Sequence, residues 1–190
     1  MDDQTAIALL KHGDLTGLET LVHRYQVKAL YVAVLIVQER PQAEEVVQAA
    51  FVRAAEKISQ FDDSRPFGPW FLRSVVNAAI KAARRQDRTV SLDELDKDAS
   101  PLDRWLTDPH PGPEQLLELE ESRQNIREAL DRLSPEQRSV VVMRYYLEMS
   151  EAEMSARLGR PLDTIKWWLR TARHRLRGIL YDYGVFKDSE

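Results

Sequence analysis

The sequence has no cysteine in its 190 residues, which excludes disulfide bonds and thiolate metal sites. Its four histidines are scattered and show no metal-ligand spacing: they are His12, His23, His110 and His174. A glycine-rich phosphate loop and a nucleophile signature are missing too. The carboxylates lie mostly at predicted helix starts, on outer helix faces and in a linker, where solvation accounts for them. We therefore expect no cofactor, no metal ion and no enzymatic activity.

Long apolar runs are also missing. The longest one, residues 29–37, is much shorter than the roughly 18 apolar residues that a membrane-spanning helix needs. The chain opens on MDDQTAIALLKHGD, which is acidic and amphipathic and does not have the pattern of a signal peptide. These features predict a cytoplasmic protein without membrane insertion.

Charge is unevenly distributed, although the net charge is only −4. Residues 65–88 carry six basic side chains and one acidic one, and residues 160–181 show the same ratio. Between them, residues 89–121 carry ten acidic side chains against two basic ones. The chain as a whole is not a general nucleic-acid binder, so the two basic segments are the candidate nucleic-acid faces.

Strand-like alternation of useful length is absent, and apolar residues recur instead at spacings of three and four. This periodicity predicts helices over 15–37, 41–59, 69–88 and 114–132. Residues 89–113 lose it and end in PHPGP, which predicts a linker. We predict an all-α fold of two small helical domains, residues 1–88 and 114–183, joined by an acidic flexible linker over residues 89–113.

The C-terminal domain has the order of a helix-turn-helix. SPEQ (134–137) and SEAE (150–153) are capping-box helix starts, and Gly159 breaks the chain before a longer basic helix. Such a second helix enters the major groove of DNA. On a helical wheel its buried stripe comprises Ile165, Leu169, Ala172, Leu176 and Ile179. The far side and its flanks carry Lys166, Trp167, Arg170, Arg173, His174 and Arg177, a DNA-binding face unless they are only a solvated surface.

Two adjacent tryptophans of this helix have different predicted environments. Trp168 lies about 60° from the centre of the buried stripe, so we expect it to pack at the edge of the core. Trp167 lies on the opposite side and is harder to bury within its own domain. Three interpretations remain open for Trp167: contact with DNA, contact with another protein, and local packing.

The helix over 69–88 combines a buried stripe with an unusual outer row. The stripe comprises Leu72, Val75, Val76, Ala79 and Ala83. The outer row comprises Trp70, Arg73, Asn77, Lys81 and Arg84. Cations track phosphates, an aromatic ring stacks on a base and an amide reads a base edge, so this row suits single-stranded nucleic acid.

The loop before this helix contains Phe61, Asp62, Asp63 and Phe67, which predicts a pocket for an extruded base. The alternative for Trp70 is that its ring packs back onto a neighbouring helix. The helix over 41–59 turns Glu45, Gln48, Ala49, Val52 and Glu56 outward. That face is either ordinary surface or a docking site for a basic protein.

Three stretches of the chain resemble the extracytoplasmic-function sigma factors of bacterial RNA polymerase. AEEVVQAAF (43–51) is similar to the family's polymerase-docking helix, and FGPWFLRSVVNAAIKAARR (67–85) is similar to its promoter −10 helix. LSPEQRSVVVMRYYLEMSEAEMSARLG (133–159) resembles its −35 domain. The resemblance covers about four fifths of the chain and both domains in the family's order.

The resemblance implies three sets of contacts. Docking on the clamp of core RNA polymerase is implied for Glu44, Glu45, Gln48, Ala49 and Val52. Contact with the promoter −10 element is implied for Phe61, Asp62, Phe67, Trp70, Arg73, Asn77, Lys81 and Arg84. Contact with the −35 duplex is implied for Thr164, Lys166, Trp167, Arg170, Thr171, Arg173 and His174. The family further implies a possible anti-sigma factor that clamps the two domains together.

The sequence departs from the family pattern at four of these positions or beside them. Ala49 stands where the docking motif usually has a second acid. In the recognition helix Trp167 replaces a small residue, whereas Trp168 and Thr171 replace arginines. These departures leave the −35 sequence open and suggest that Trp167 lies where DNA comes close.

Two other functions remain as alternatives to a sigma factor. A helix-turn-helix regulator without sigma activity accounts for residues 133–180 but leaves the faces of 43–51 and 67–85 without a use. DNA binding by the free protein at physiological salt would favour that regulator. An adaptor that binds only another protein is the second alternative, and a failure of all DNA contact, even with polymerase present, would favour it.

Overall fold

The computed structural model describes residues 1–89 and 124–182, and in these two stretches every regular element is a helix. The chain divides into two units, Met1–Asp93 and Glu94–Glu190. The first unit contains α1 (Asp3–Lys11), α2 (Thr16–Val37), α3 (Arg40–Glu56), a 3₁₀ turn (Ile58–Gln60) and α4 (Phe67–Thr89). The second contains α5 (124–131), α6 (Pro135–Tyr145), α7 (Glu151–Leu158) and α8 (Leu162–Asp182). The all-α class is thereby confirmed. Thr89, the first residue of the predicted linker over 89–113, ends α4. The rest of that linker and the first part of the helix predicted over 114–132 lie outside the described residues.

The first unit is a bundle in which α2, α3 and α4 each pack against the other two. Their buried residues follow the predicted stripes: Ala43, Val47, Ala50 and Phe51 on α3, and Leu72, Val75 and Val76 on α4. The fourth helix begins two residues earlier than Pro69, at Phe67. This difference brings Phe67 out of the predicted loop and into the first turn of α4.

Helix α1 was not predicted from the sequence. Its start is stabilised by Asp2, whose carboxylate accepts a hydrogen bond of 2.8 Å from the Thr5 amide. α1 packs on α2 through Gly17, where a Cβ atom would clash with the Ala6 carbonyl oxygen and lie 2.9 Å from the Leu10 nitrogen. The close approach of these two backbones therefore requires glycine at position 17.

Helix α2 has 22 residues and an apolar composition, so by these two criteria alone it could cross a membrane. In this fold it is a core helix, since α1, α3 and α4 all pack against it. Its buried residues include Leu21, Val32 and Ile36, each fully covered by the bundle. The apolar composition of α2 is accounted for by this packing.

The second unit follows the predicted cap signals closely. Ser134 with Gln137 and Ser150 with Glu153 both form complete capping boxes, at the starts of α6 and α7. Gly159 ends α7 in the left-handed conformation, with φ of 60°, which glycine adopts without strain. The core between α6, α7 and α8 is built from aliphatic and thioether side chains, and the largest of those that are fully buried are Met143, Met154, Ile165 and Leu169.

Candidate nucleic-acid and protein interfaces

The polar row of α4 lies on the outer side of the helix, as predicted. Lys81 is exposed, and the other four members of the row are half-buried: Trp70, Arg73, Asn77 and Arg84. Opposite them, Ala79 and Ala83 are fully buried in the bundle. The row is thus held on a rigid helix, with the ends of its side chains at the surface.

A cluster of aromatic rings lies beneath the start of α4. The Trp70 ring centroid is 5.0 Å from that of Phe61 and 5.5 Å from that of Phe67. Phe67 stacks on Phe71 at 5.6 Å, and Phe71 lies 4.3 Å from Phe51. Trp70 therefore packs against neighbouring rings while keeping part of its surface exposed. The packing of Trp70 against neighbouring rings is thereby confirmed, whereas its contact with nucleic acid stays a prediction.

The burial of Phe61 and Phe67 corrects the predicted pocket. Their exposed fractions are 4% and 2%, so neither ring is available at the surface to receive a base. The physical reason is that both side chains complete the core where the loop enters and leaves the bundle. What lies at the surface between them is the segment 62–66, every residue of which is exposed.

The segment 62–66 is ordered by hydrogen bonds of its own. The Asp62 carboxylate accepts bonds from the Ser64 hydroxyl at 2.7 Å and the Ser64 amide at 3.0 Å, and the Arg65 amide donates to the Asp62 carbonyl at 3.0 Å. The Ser64 hydrogen bonds hold the pKa of Asp62 below its usual value. Asp62 is thus a turn-forming residue whose carboxylate is already engaged within the loop.

Tyr25 of α2 supports the first turn of α4 from below. Its ring lies 5.4 Å from that of Phe67, and a Cβ atom at Gly68 would come within 2.8 Å of its Cε1 atom. The Tyr25 hydroxyl donates a hydrogen bond to Asp3 of α1. Burial, and then the Asp3 carboxylate, raise the pKa of Tyr25 to about 12. No local sequence signal marks Tyr25, because its partners come from α1 and α4.

The outer face of α3 carries the predicted docking residues. Glu44, Glu45, Gln48, Ala49 and Val52 are all exposed. Val52 is an apolar side chain that is 53% exposed, whereas Glu44 forms an ion pair with Arg40 at 2.8 Å. The face therefore presents a small apolar patch between acidic and amide groups.

Helix α8 turns the predicted side inward over its first half. Ile165, Leu169 and Ala172 are fully buried, and Trp168 is half-buried at the edge of the core. The last two residues of the predicted stripe, Leu176 and Ile179, are only half-buried. Trp167 is 53% exposed. The other candidate DNA contacts fall into two groups. The exposed ones are Lys166, Arg170, Arg173 and His174, and the half-buried ones are Thr164 and Thr171.

One basic residue of α8 has a structural contact that the sequence did not indicate. Arg175 donates a hydrogen bond of 3.1 Å to the side chain of Gln137, which is 4% exposed. The same Gln137 oxygen accepts a hydrogen bond from the Ser134 amide in the capping box of α6. Arg175 thus connects α8 to the start of α6.

Within residues 1–89 and 124–182, no group of three or more His, Asp or Glu side chains is arranged to hold a metal ion.

Comparison with known proteins matches both units to one family. The Sigma-70 region 2 profile matches residues 21–89, and the Sigma-70 region 4 profile matches residues 123–176. The chain is 30% identical over 169 residues to the RNA polymerase sigma-E factor of Streptomyces avermitilis, covering 88% of this chain and 87% of that protein. The chain belongs to the extracytoplasmic-function sigma factors. Membership makes it a promoter-specificity factor for transcription initiation by RNA polymerase, which decides against the regulator and adaptor alternatives.

Further relatives of this sigma factor agree. The ECF RNA polymerase sigma factor SigW of Bacillus subtilis is 28% identical over 178 residues, covering 93% of this chain and 95% of SigW. Among solved structures, the sigma factor RpoE from Bartonella quintana, in complex with the anti-sigma factor NepR, matches with a TM-score of 0.62. That match is 22% identical and covers 86% of this chain and 96% of RpoE. It shows that the two proteins share a fold.

Proposed function

We propose that this sigma factor captures the melted −10 strand with α4 and the segment 62–66, reads the −35 duplex with α8, and docks on core polymerase with α3. The single observation that carries the proposal is the outer row of α4. A half-buried tryptophan, an amide and three cations follow one another along a helix whose other side is buried. Such a row binds phosphates, stacks on a base and reads a base edge at the same time.

The contribution of each α4 residue follows from its chemistry. Arg73, Lys81 and Arg84 neutralise phosphates along the strand. Trp70 is half-buried, and we assign the part of it left at the surface to stacking on a base, while the rings of Phe61 and Phe67 hold it in place. The Asn77 amide, halfway along the row, accepts one hydrogen bond from a base edge and donates another to it. Phe61 and Phe67 act through position, since their buried rings fix both ends of the segment 62–66.

The α8 surface suits duplex DNA. Lys166, Arg170 and Arg173 are exposed cations on one side of the helix, and they bind phosphates or guanine edges in the major groove. Trp167 projects from the same surface with about half its area uncovered. We propose that Trp167 lies against DNA sugars or thymine methyl groups and alters the −35 preference, with Thr164, Thr171 and His174 at its margins.

Docking on polymerase is assigned to the outer face of α3. Val52 and Ala49 form the apolar centre of this face, and Glu44, Glu45 and Gln48 surround it. An apolar centre with an acidic rim fits a basic protein surface. We propose the polymerase clamp as that surface.

Each DNA face is weak alone, because phosphate neutralisation dominates affinity and the net charge is −4. Binding to core polymerase sets the spacing of the two faces and makes them bivalent. The proposal further includes an anti-sigma factor as an inhibitor, a cytoplasmic location, and no catalytic step by this chain itself. The RpoE relative crystallised with NepR supports the anti-sigma partner.

The test is transcription in vitro with purified chain, bacterial core polymerase and genomic fragments, followed by mapping of RNA 5′ ends. We expect discrete start sites that share −35 and −10 elements, which would also supply the promoter sequence. Core polymerase without the chain is the control. Binding to polymerase without any start site above that control would contradict the proposed DNA contacts, and no binding to polymerase would contradict the docking assignment. Val52→Asp should then abolish binding to core polymerase, whereas Val27→Asp, at a valine 42% exposed on α2, should not.

A further inference from the structure

Helix α1 lies outside the segment that matches Sigma-70 region 2, which begins at residue 21. It nevertheless reaches the loop before α4 through its last residue. The Lys11 ammonium donates a hydrogen bond of 3.0 Å to the Phe61 carbonyl oxygen and bonds of 2.8 Å to both carboxylate oxygens of Asp63. These contacts engage all three donors of the ammonium group. They join two parts of the chain separated by 50 residues.

The opposite end of α1 is connected to the start of α4. Asp3 forms an ion pair with Arg24 and accepts the hydrogen bond from the Tyr25 hydroxyl. Tyr25 in turn lies against Phe67 and Gly68, the first two residues of α4. One short helix is therefore attached to both ends of the segment 62–66, through Lys11 on one side and through Asp3 and Tyr25 on the other.

The charge balance of the segment gives Lys11 a second effect. Asp62 and Asp63 are adjacent anions in a segment that, under the proposed function, approaches the phosphates of a melted strand. Asp62 is engaged by Ser64 and pairs with Arg65 at 3.2 Å. Asp63 is 60% exposed and pairs with Lys11. Removal of the Lys11 charge would leave Asp63 to repel phosphate.

We infer that α1 is a brace for the −10 segment, in which Lys11 is a positioning residue that holds residues 61–63 in the conformation that receives the melted strand. The inference rests on the proposed function of α4. The Lys11 side chain is 25% exposed and that of Asp63 60% exposed, so solvent screens the ion pair and its contribution to folding stability is modest. The effect of Lys11 should therefore appear in DNA binding more than in stability. Preordering the segment removes the cost of ordering it when the strand binds.

The experiment uses the full chain bound to core polymerase. Its probe is a fork-junction fragment of the promoter mapped above, double-stranded through the −35 element and single-stranded at the −10 element. Lys11→Met keeps most of the side-chain length and removes the charge and the donors. We expect Lys11→Met to weaken binding of the fork about fivefold, because the segment is then ordered only when the strand binds. The preference for particular bases within the −10 element should also relax. Binding to a −35 duplex alone should be unchanged.

Three further variants separate positioning from a general structural effect. Lys57→Met removes an exposed lysine beyond the end of α3 and should bind like the wild type. Lys11→Arg keeps a cation with several donors and should restore most of the fork affinity. If Lys11→Met fails to fold, Lys11→Gln decides, because it keeps a donor for the Phe61 carbonyl but leaves Asp63 without its cation.

The outcomes are distinguishable from a failure of the proposed function. Fork binding by Lys11→Met or Lys11→Gln that equals that of Lys57→Met would overturn the brace. Equal losses on the fork and on the −35 duplex would also overturn it, since they indicate a general defect. If the double variant Asn77→Ala with Lys81→Ala binds the fork normally, then the proposed function of α4 is itself wrong. If that double variant is defective while the Lys11 variants are normal, only the brace is wrong.

Discussion

The two units support their candidate DNA faces in different ways. In the first unit, the face of α4 rests on a cluster of aromatic rings, and several of its members are half-buried: Trp70, Arg73, Asn77 and Arg84. In the second unit, the face of α8 consists mostly of exposed side chains on a helix whose described core contains aliphatic and methionine residues. The shape of the first face is therefore coupled to the core, whereas the second can change residue by residue with little effect on the fold.

The four departures from the family pattern noted in the sequence fall at exposed or half-buried positions, and one of them, Ala49, lies on the outer face of α3 in the first unit. Three departures lie in α8, namely Trp167, Trp168 and Thr171, and none of them is fully buried. Around the start of α4, by contrast, Phe61, Phe67 and Phe71 are each held by contacts with other rings. A substitution there disturbs packing and recognition together, whereas a substitution at an exposed position of α8, such as Trp167, should alter recognition with little effect on packing.

The largest effect is expected from removing a ring of the aromatic cluster. Phe71→Ala should destabilise the first unit by about 3–5 kcal/mol, because Phe71 is fully buried and contacts Phe51, Phe67 and Tyr25. Met154→Ala is the counterpart in the second unit, with an expected loss of about 2–5 kcal/mol. Amide hydrogen exchange reports the stability of each unit separately. If either substitution lowered the protection of both units equally, the two units would not be stabilised independently, and the difference between them would not hold.

The next largest effect concerns DNA contacts. Asn77→Ala with Lys81→Ala should cost about 1–3 kcal/mol in binding of the melted −10 strand, because a base-edge contact and a phosphate contact are lost together. The −35 duplex should still bind normally. Arg170→Ala should give the reverse pattern. Promoter opening is measured by the reactivity of thymines to permanganate, and the affinity for the −35 duplex is measured in parallel. Unchanged promoter opening in the double variant would show that the α4 row does not face the strand.

A smaller effect separates the two tryptophans of α8. Trp168→Ala should lower the free energy of unfolding by about 1–2 kcal/mol, because its half-buried ring covers the edge of the core. Trp167→Ala should stay within about 0.5 kcal/mol of the wild type and change the −35 base preference instead. Chemical denaturation and selection of −35 sequences from a random library test both variants. A stability loss for Trp167→Ala without a change of preference would make that residue structural.

The smallest effect is a pH dependence confined to the first unit. Because the pKa of Tyr25 is raised from 10.0 to about 12, its stabilising contribution is fully present below pH 10. It declines as the pH rises from 10 towards 12, since the unfolded state loses its proton first. In Tyr25→Phe this decline should be absent. Thermal unfolding between pH 9 and about pH 12 measures it, with Tyr145→Phe, at a tyrosine 61% exposed, as the control. Identical pH profiles for wild type and Tyr25→Phe would contradict the expectation.

Periodicity predicted much of what the structure shows. The buried and outward sides of α3, α4 and α8 were predicted from apolar spacing, and both capping boxes from SPEQ and SEAE. Local patterns of this kind are visible because neighbours at three and four residues share a helix face. The assignment of individual side chains to polymerase and DNA contacts stays a prediction, as do the domain boundaries at 88 and 114.

The sequence by itself determined the described helices after α1, the buried sides of α3, α4 and α8, and the sigma-factor family, because these depend on short-range spacing and on motifs. Tertiary structure alone decided that α1 packs on α2 across Gly17, and that Phe61 and Phe67, on either side of the segment 62–66, are buried. It also decided that Lys11 meets Asp63 and that Arg175 meets Gln137. Those contacts join residues far apart in the chain. No local pattern encodes them, since only the packing of one helix against another brings the partners within hydrogen-bonding distance.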